Sequence, residues 1–443
     1  MALLLTTHSD NLELMEEVLL RIRNLAATSP EAQSLLLGLD VPANILKVLD
    51  HAMRQPSSPN PVLHLGLQAI CNIFTSNPKV TSLFWPVLMN EWGKLDQILA
   101  LGPADFKPCQ AACMLILNAT KDSHSQSLTL LTSIDASSLI EHLLALVSHD
   151  DLFDMIYVIF SNWFALDLAH KVFALSSSAL SLVKLYDGYL SLNPTTIPFS
   201  ERTCRHFVSQ LSNLCDKVLS TPQETSDQDI LRLTLLMTIL ATHLESTSNT
   251  FKSTICNDII HPIMNLLSYL DKTFPAATTK STTTPLRPEM NPIAGIKSPI
   301  MHVLCSLSHQ NTQFAHTIQS IQALPLLLSQ TQMDSNNPIL RERTILLIRN
   351  LCEVSSAVQD DIRGLSPQGV DANARHELGQ SGVDVWVEDG QVRVKQGIQR
   401  VSEETTTPSS SIRVGGGDVE QALLMEEEMG DSKIKFLNAW DSQ

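Results

Sequence analysis

Aromatic residues make up only 5% of this 443-residue chain and glycine only 16 positions, a balance that suits helix packed on helix better than sandwiches or barrels. Basic charge is also short. Thirty Lys and Arg face 46 Asp and Glu, the formal net charge is -16, and no basic stripe is visible. Nucleic-acid affinity comes largely from clustered Lys and Arg that displace counterions, so nucleic acid is not an expected partner. The eight cysteines (Cys71, Cys109, Cys113, Cys204, Cys215, Cys256, Cys305, Cys352) show no short paired spacing, and read as buried thiols in a reducing compartment. No apolar run approaches the roughly 20 residues that span a bilayer, and Leu3–Leu5 is too short for a signal-peptide core, so no membrane insertion and a cytoplasmic home are expected. A nucleophile elbow, a phosphate loop and a zinc-spaced His pair are all missing. The 14 His and 13 Met are dispersed, and the Cys109/Cys113 pair sits on an apolar helix where core burial outweighs ligation. No catalytic residue, cofactor or metal ligand is therefore assigned.

What the chain does have is apolar side chains, 44% of residues against 17% charged, enough to keep most of it folded. Its length exceeds what one core usually supports, which points to several domains or a repeat array. An Asn recurs in apolar helical stretches at Asn24, Asn72, Asn118, Asn162, Asn213 and Asn350, the first five separated by steps of 48, 46, 44 and 51. The remaining 137 residues equal three steps of about 46, with one intermediate register near Ser306. Five residues after these positions stand Ser29, Asn77, Ser123, Asp167, Asn311 and Ser355, all residue types that cap helices. Pro30 and Pro78 follow where a missing N–H costs nothing. The Asn213 copy breaks the rule, with Val218 at its cap position.

Periods of about 40–47 residues built from two or three helices belong to HEAT and armadillo units, each of which buries its apolar face by stacking. The expected fold is all-α, an armadillo/HEAT-like right-handed α-solenoid. An Asn inside a helix costs up to about 0.7 kcal/mol relative to Ala, so something must offset it. One reading is a ladder of amides along a concave face that binds the backbone of an extended partner. The other, which carries more weight because buried amides usually serve local backbone groups, is that each Asn ties down a neighbouring helix end.

Residues 271–299 change to Thr, Pro, Lys and Ser and read as a flexible insertion between N-terminal repeats (1–270) and C-terminal repeats (300–364), with hydroxyls open to phosphorylation. Across 365–400 a short helix (Asp371 to Leu378) precedes a hairpin signalled by alternation on both sides of Asp389-Gly390. Residues 401–443 read as a disordered acidic tail, in which Phe436, Leu437 and Trp440 could fold as an amphipathic helix on a partner.

The stretch Asn337-Pro338 through Glu342 to Ile348-Arg349-Asn350-Leu351-Cys352-Glu353 resembles the signature of the ataxin-10 C-terminal domain. Upstream, Leu65–Ile73 and Leu83-Phe84-Trp85-Pro86 resemble that family's N-terminal repeats; Arg343 departs from the family, which usually has Trp there. The resemblance implies an armadillo-like, cytoplasmic, non-enzymatic scaffold tied to cell division, cytokinesis and cell survival, with no catalytic residues. Its partners would be other proteins, and self-association stays open. The candidate partner-binding residues are Asn24, Asn72, Asn118, Asn162, Arg349, Asn350, Phe436 and Trp440. An armadillo-like regulatory adaptor or exchange factor for a nucleotide-binding partner is the alternative, and an enzyme with an unrecognised site the remote one.

Overall fold

Apolar side chains recurring every three or four residues, several of the runs opened by a capping residue, dictate helices, and helices are what form. The computed structural model describes residues 2–7, 11–54, 60–176, 180–193, 200–276, 292–332, 334, 336–365, 375, 378–380, 383–388 and 391–396. Two compact units divide it, Met1–Gly364 and Leu365–Gln443.

In the first unit, one succession of helices stacks side by side: Leu12–Ala26, Pro61–Phe74, Phe106–Thr120, Asp150–Ala165, Leu180–Leu192, Asp227–Glu245, Lys297–Ser308 and Leu340–Val354. Shorter helices pack behind this ladder and against one another, among them Pro30–Gly38 on Pro78–Asn90 and Trp92–Leu99 on Ala136–Leu146. Glu201–Ser220 packs on Asn249–Thr273 in that second layer. Buried Leu, Ile, Val and Phe from both layers merge into one core running from Leu5 to Val358. The architecture is an armadillo-like α-solenoid, in which each helical unit is completed by its neighbour.

The capping rule holds at five helix starts. Side chains of Ser29, Asn77, Ser123, Asn311 and Ser355 accept from the backbone N–H three residues on. Asp167 does not cap; it adopts a left-handed φ of 60°. The Leu168 N–H bonds back to Trp163 O at 2.9 Å and the Asp167 N–H to Phe164 O at 3.1 Å, so Asp167 closes the Asp150–Ala165 helix instead of opening the next.

Asn213 is a second correction. Its helix runs unbroken through Val218 to Ser220, lies in the second layer, and leaves Asn213 exposed. The ladder register there is held by His243, five residues before Ser248, which caps the Asn249–Thr273 helix.

Helices reach into the expected 271–299 insertion from both sides, Asn249–Thr273 running to Thr273 and Pro292–Ile296 leading into Lys297–Ser308, on which Asp227–Glu245 packs directly. Lys297, 1% exposed, donates to Phe274 O at 2.7 Å and lies 3.6 Å from Asp271, joining the two sides. Residues 277–291, most of the expected 371–378 helix, and the 401–443 tail with Phe436 and Trp440 lie outside the described residues. In the second unit, Val383–Glu388 pairs antiparallel with Gln391–Gln396, matching Val385 to Val394 and Val387 to Val392, the hairpin expected around Asp389-Gly390.

Among the described residues no single helix is long and apolar enough to cross a membrane; one bent pair, Pro30–Gly38 with Val41–Met53 at 70°, passes on length and composition together.

Candidate functional site

Stacking hides most of each ladder helix and leaves one stripe open. In Pro61–Phe74, Leu63, Leu67, Ile70 and Phe74 are buried, while His64, Gln68 and Asn72 are half-exposed. The same spacing of four repeats in the next helix as Gln110, Met114 and Asn118, and in the one after as Asp154, Val158 and Asn162. Asn72, Asn118 and Asn162 thus each end an open stripe that neighbouring helices set side by side, about 8–10 Å apart.

The amides are engaged in a regular way. Asn72 Nδ2 donates to Arg23 O at 3.1 Å, and Asn162 Nδ2 to Thr120 O at 3.1 Å while its Oδ1 accepts from the Asp122 N–H at 3.1 Å. Asn118 Nδ2 reaches Cys71 Sγ at 3.0 Å and Thr75 Oγ1 at 3.1 Å. Asn350 Nδ2 donates to Ser308 Oγ at 2.9 Å. In every case the partner lies near the C-terminal end of the preceding ladder helix, a backbone carbonyl for Asn72 and Asn162 and a side-chain thiol or hydroxyl for Asn118 and Asn350. Asn24, in the first of these helices, is exposed and accepts from its neighbour Arg23, which also reaches Gln68 at 3.1 Å. Arg349 is exposed and paired with Glu353 at 2.8 Å. Asn72, Asn118, Asn162 and Asn350 therefore all reach back to the preceding ladder helix, the first three half-exposed and Asn350 buried. The side-chain oxygens of Asn72 and Asn118 accept nothing from the described residues.

Sequence reasoning missed His243. Its spacing to Ser248 carried the signal, but a search for Asn passes over it. Buried at 3% exposure, it meets Tyr186 OH through Nε2 at 2.8 Å, and burial pushes its pKa down to about 4. The cross-repeat pair of Asp96 and His142 at 2.8 Å was also missed. Ser138 donates to the same carboxylate at 2.8 Å, so the hydroxyl sits on the acid rather than the imidazole and forms no nucleophile–base contact. Burial pushes the thiols of Cys71 and Cys109 up to about 12 and about 11, well away from nucleophilic range. No group of three or more His, Cys, Asp or Glu able to hold a metal is present among the described residues.

Comparison with known proteins follows this geometry. The family model described as "Spinocerebellar ataxia type 10 protein domain" matches residues 296–395, which include the last two ladder helices and the hairpin. The chain is 32% identical over 102 residues to the ataxin-10 homolog of Dictyostelium discoideum, covering 23% of this chain and 16% of that one. It is 30% identical over 86 residues to ataxin-10 of Bos taurus and of Homo sapiens, in each case 19% of this chain and 18% of the relative. These matches span less than a fifth of the relatives' length. A chain from a solved structure titled "A conserved phosphorylation switch controls the interaction between cadherin and beta-catenin in vitro and in vivo" aligns over 79% of this chain and 68% of its own. At 13% identity and a TM-score of 0.33, it adds nothing to the fold read from the helices themselves. Residues 296–395 thus carry a domain of the ataxin-10 type, similar to that of the ataxin-10 relatives.

Proposed function

We propose that this chain is a non-enzymatic protein–protein interaction scaffold of the ataxin-10 type, acting in the cytoplasm in cytokinesis and cell survival. The observation that carries the reading is the run of parallel open stripes along one stacked ladder. Such a surface offers a partner an ordered row of side chains on rigid helices, with little entropy left to lose on binding. Asn72 and Asn118 are the amides best suited to a partner's backbone N–H, since each keeps a free side-chain oxygen at a half-exposed position. Asn24, Asn162 and Asn350 already use theirs or lie inward. Arg349 flanks the last stripe, and Phe436 and Trp440 stay proposed contacts in the tail.

Crosslinking the full-length chain to its co-purified partners tests this. Crosslinks should concentrate on Lys107 and Lys184 in the ladder; crosslinks confined to second-layer lysines such as Lys79 and Lys217 would remove the ladder as the binding face. Depleting the protein in its own cells should raise the count of multinucleate cells, and an unchanged count would remove the cell-division role.

A further inference from the structure

The ladder ends on a flank that its earlier helices keep covered. Five and two residues before a recurrent Asn, and two after it, stand Leu67, Ile70 and Phe74 in one ladder helix and Cys113, Ile116 and Thr120 in the next, all buried. The Ser306 register repeats this with Met301, Leu304 and Ser308, again all buried. The following ladder helix supplies cover. Phe164, two residues after Asn162, meets Tyr186 of that next helix at 4.8 Å, and Ser308 takes the Asn350 amide at 2.9 Å. In Leu340–Val354 the same three places hold Ile345, Ile348 and Cys352, and among the described residues of the first unit only the short Ser356–Arg363 helix follows. Ile345 is 51% exposed, and Ile348 and Cys352 are half-exposed.

A terminal repeat of a solenoid needs a polar outer face. The first ladder helix has one, since Leu12–Ala26 exposes Glu13, Glu16, Glu17 and Arg21 beside Leu20. The last one instead leaves apolar area open that a further helix would bury. The polar edge of this flank differs too. Where Cys71 and Thr75 take the amide of Asn118, the last helix carries Arg349 and Glu353, paired at 2.8 Å. The result is an apolar strip one helix wide with a charged edge, continuous with the helix-on-helix interface that runs along the whole ladder. We propose that an amphipathic helix of a partner protein docks there as the next ladder helix, laying apolar side chains on Ile345, Ile348 and Cys352 and a side-chain amide on Glu353. This surface is separate from the open stripes, which on the last helix pass through Glu342 and Leu346.

The test uses the full chain and a fluorescein-labelled helical peptide of about 18 residues, with Leu recurring at every third or fourth position among Asn, Gln, Lys and Glu, read by fluorescence anisotropy. A peptide of the same composition with its spacing scrambled should bind about tenfold more weakly, and Ile345→Asp should weaken the regular peptide by about as much. Ile345→Leu should keep affinity within about twofold, and so should Leu83→Asp, at a residue 61% exposed in the second layer. Ile345→Asp changes an exposed side chain, so its thermal midpoint should not fall. A fall would mean that the flank is already covered within the chain, and a wild-type dimer that Ile345→Asp converts to monomers in sedimentation would assign the flank to a second copy; either result overturns the proposal. Equal binding of the regular and scrambled peptides, an equal loss in Leu83→Asp, or no binding of the regular peptide would overturn it as well.

Discussion

The ladder is joined in two different ways along its length. From Asn72 to Asn162, and again at Asn350, an amide reaches back to the preceding helix end. Between them, rings replace amides: Phe164 meets Tyr186 edge-on at 4.8 Å, and Tyr186 holds His243. An amide joint places a neutral donor on a carbonyl, thiol or hydroxyl and is indifferent to pH. A joint of buried rings draws on area and shape, and through His243 it becomes sensitive to protons. The first kind repeats, because every one of these helix ends presents an acceptor in the same register; the second is built once from the side chains at hand.

The largest way to break this contrast is to empty the aromatic stretch. Trp163 is fully buried and packs edge-on against Phe160 at 5.3 Å. Trp163→Ala should cost about 3–5 kcal/mol, measured by chemical denaturation of the full chain. Next comes acidification. A histidine in the unfolded chain takes its proton near 6.5, whereas folded His243 resists until about 4. The unfolded state therefore gains protons first, and stability should fall as pH drops from 6.5 towards 4, by about 3 kcal/mol in all. His170 and His206, whose values burial also lowers, act in the same direction. His243→Asn should flatten much of that profile; an unchanged slope would move the proton sensitivity elsewhere.

The amide joints should yield less. Replacing Asn72, Asn118 and Asn350 singly with Ala should cost about 0.5–1.5 kcal/mol each, with the far-ultraviolet circular dichroism of the native state unchanged and no pH dependence. Smallest of all, Arg349→Gln removes an exposed ion pair with Glu353 and should shift stability by less than about 0.5 kcal/mol. A larger loss would give that pair a role in the ladder that its exposure does not suggest.

The regular joints were legible in the sequence and the irregular ones were not. Asn spacing and caps such as Asn77 and Ser123 follow local rules, so counting residues was enough to find them. Asp167 is a good cap type, yet it closes the preceding helix because a left-handed residue there satisfies two carbonyls at once. Asn213 matched the period within an amphipathic helix that tertiary packing put in the other layer, while His243 kept the spacing and lost the residue type. Of the candidate site, the amide positions were readable.

A double-mutant cycle between Asn350→Ala and Ser308→Ala tests most directly whether an amide from one helix holds the end of the helix before it. The two groups lie 2.9 Å apart and both residues are buried. The account predicts a coupling of about 0.5–1.5 kcal/mol between them. Strictly additive losses would contradict it.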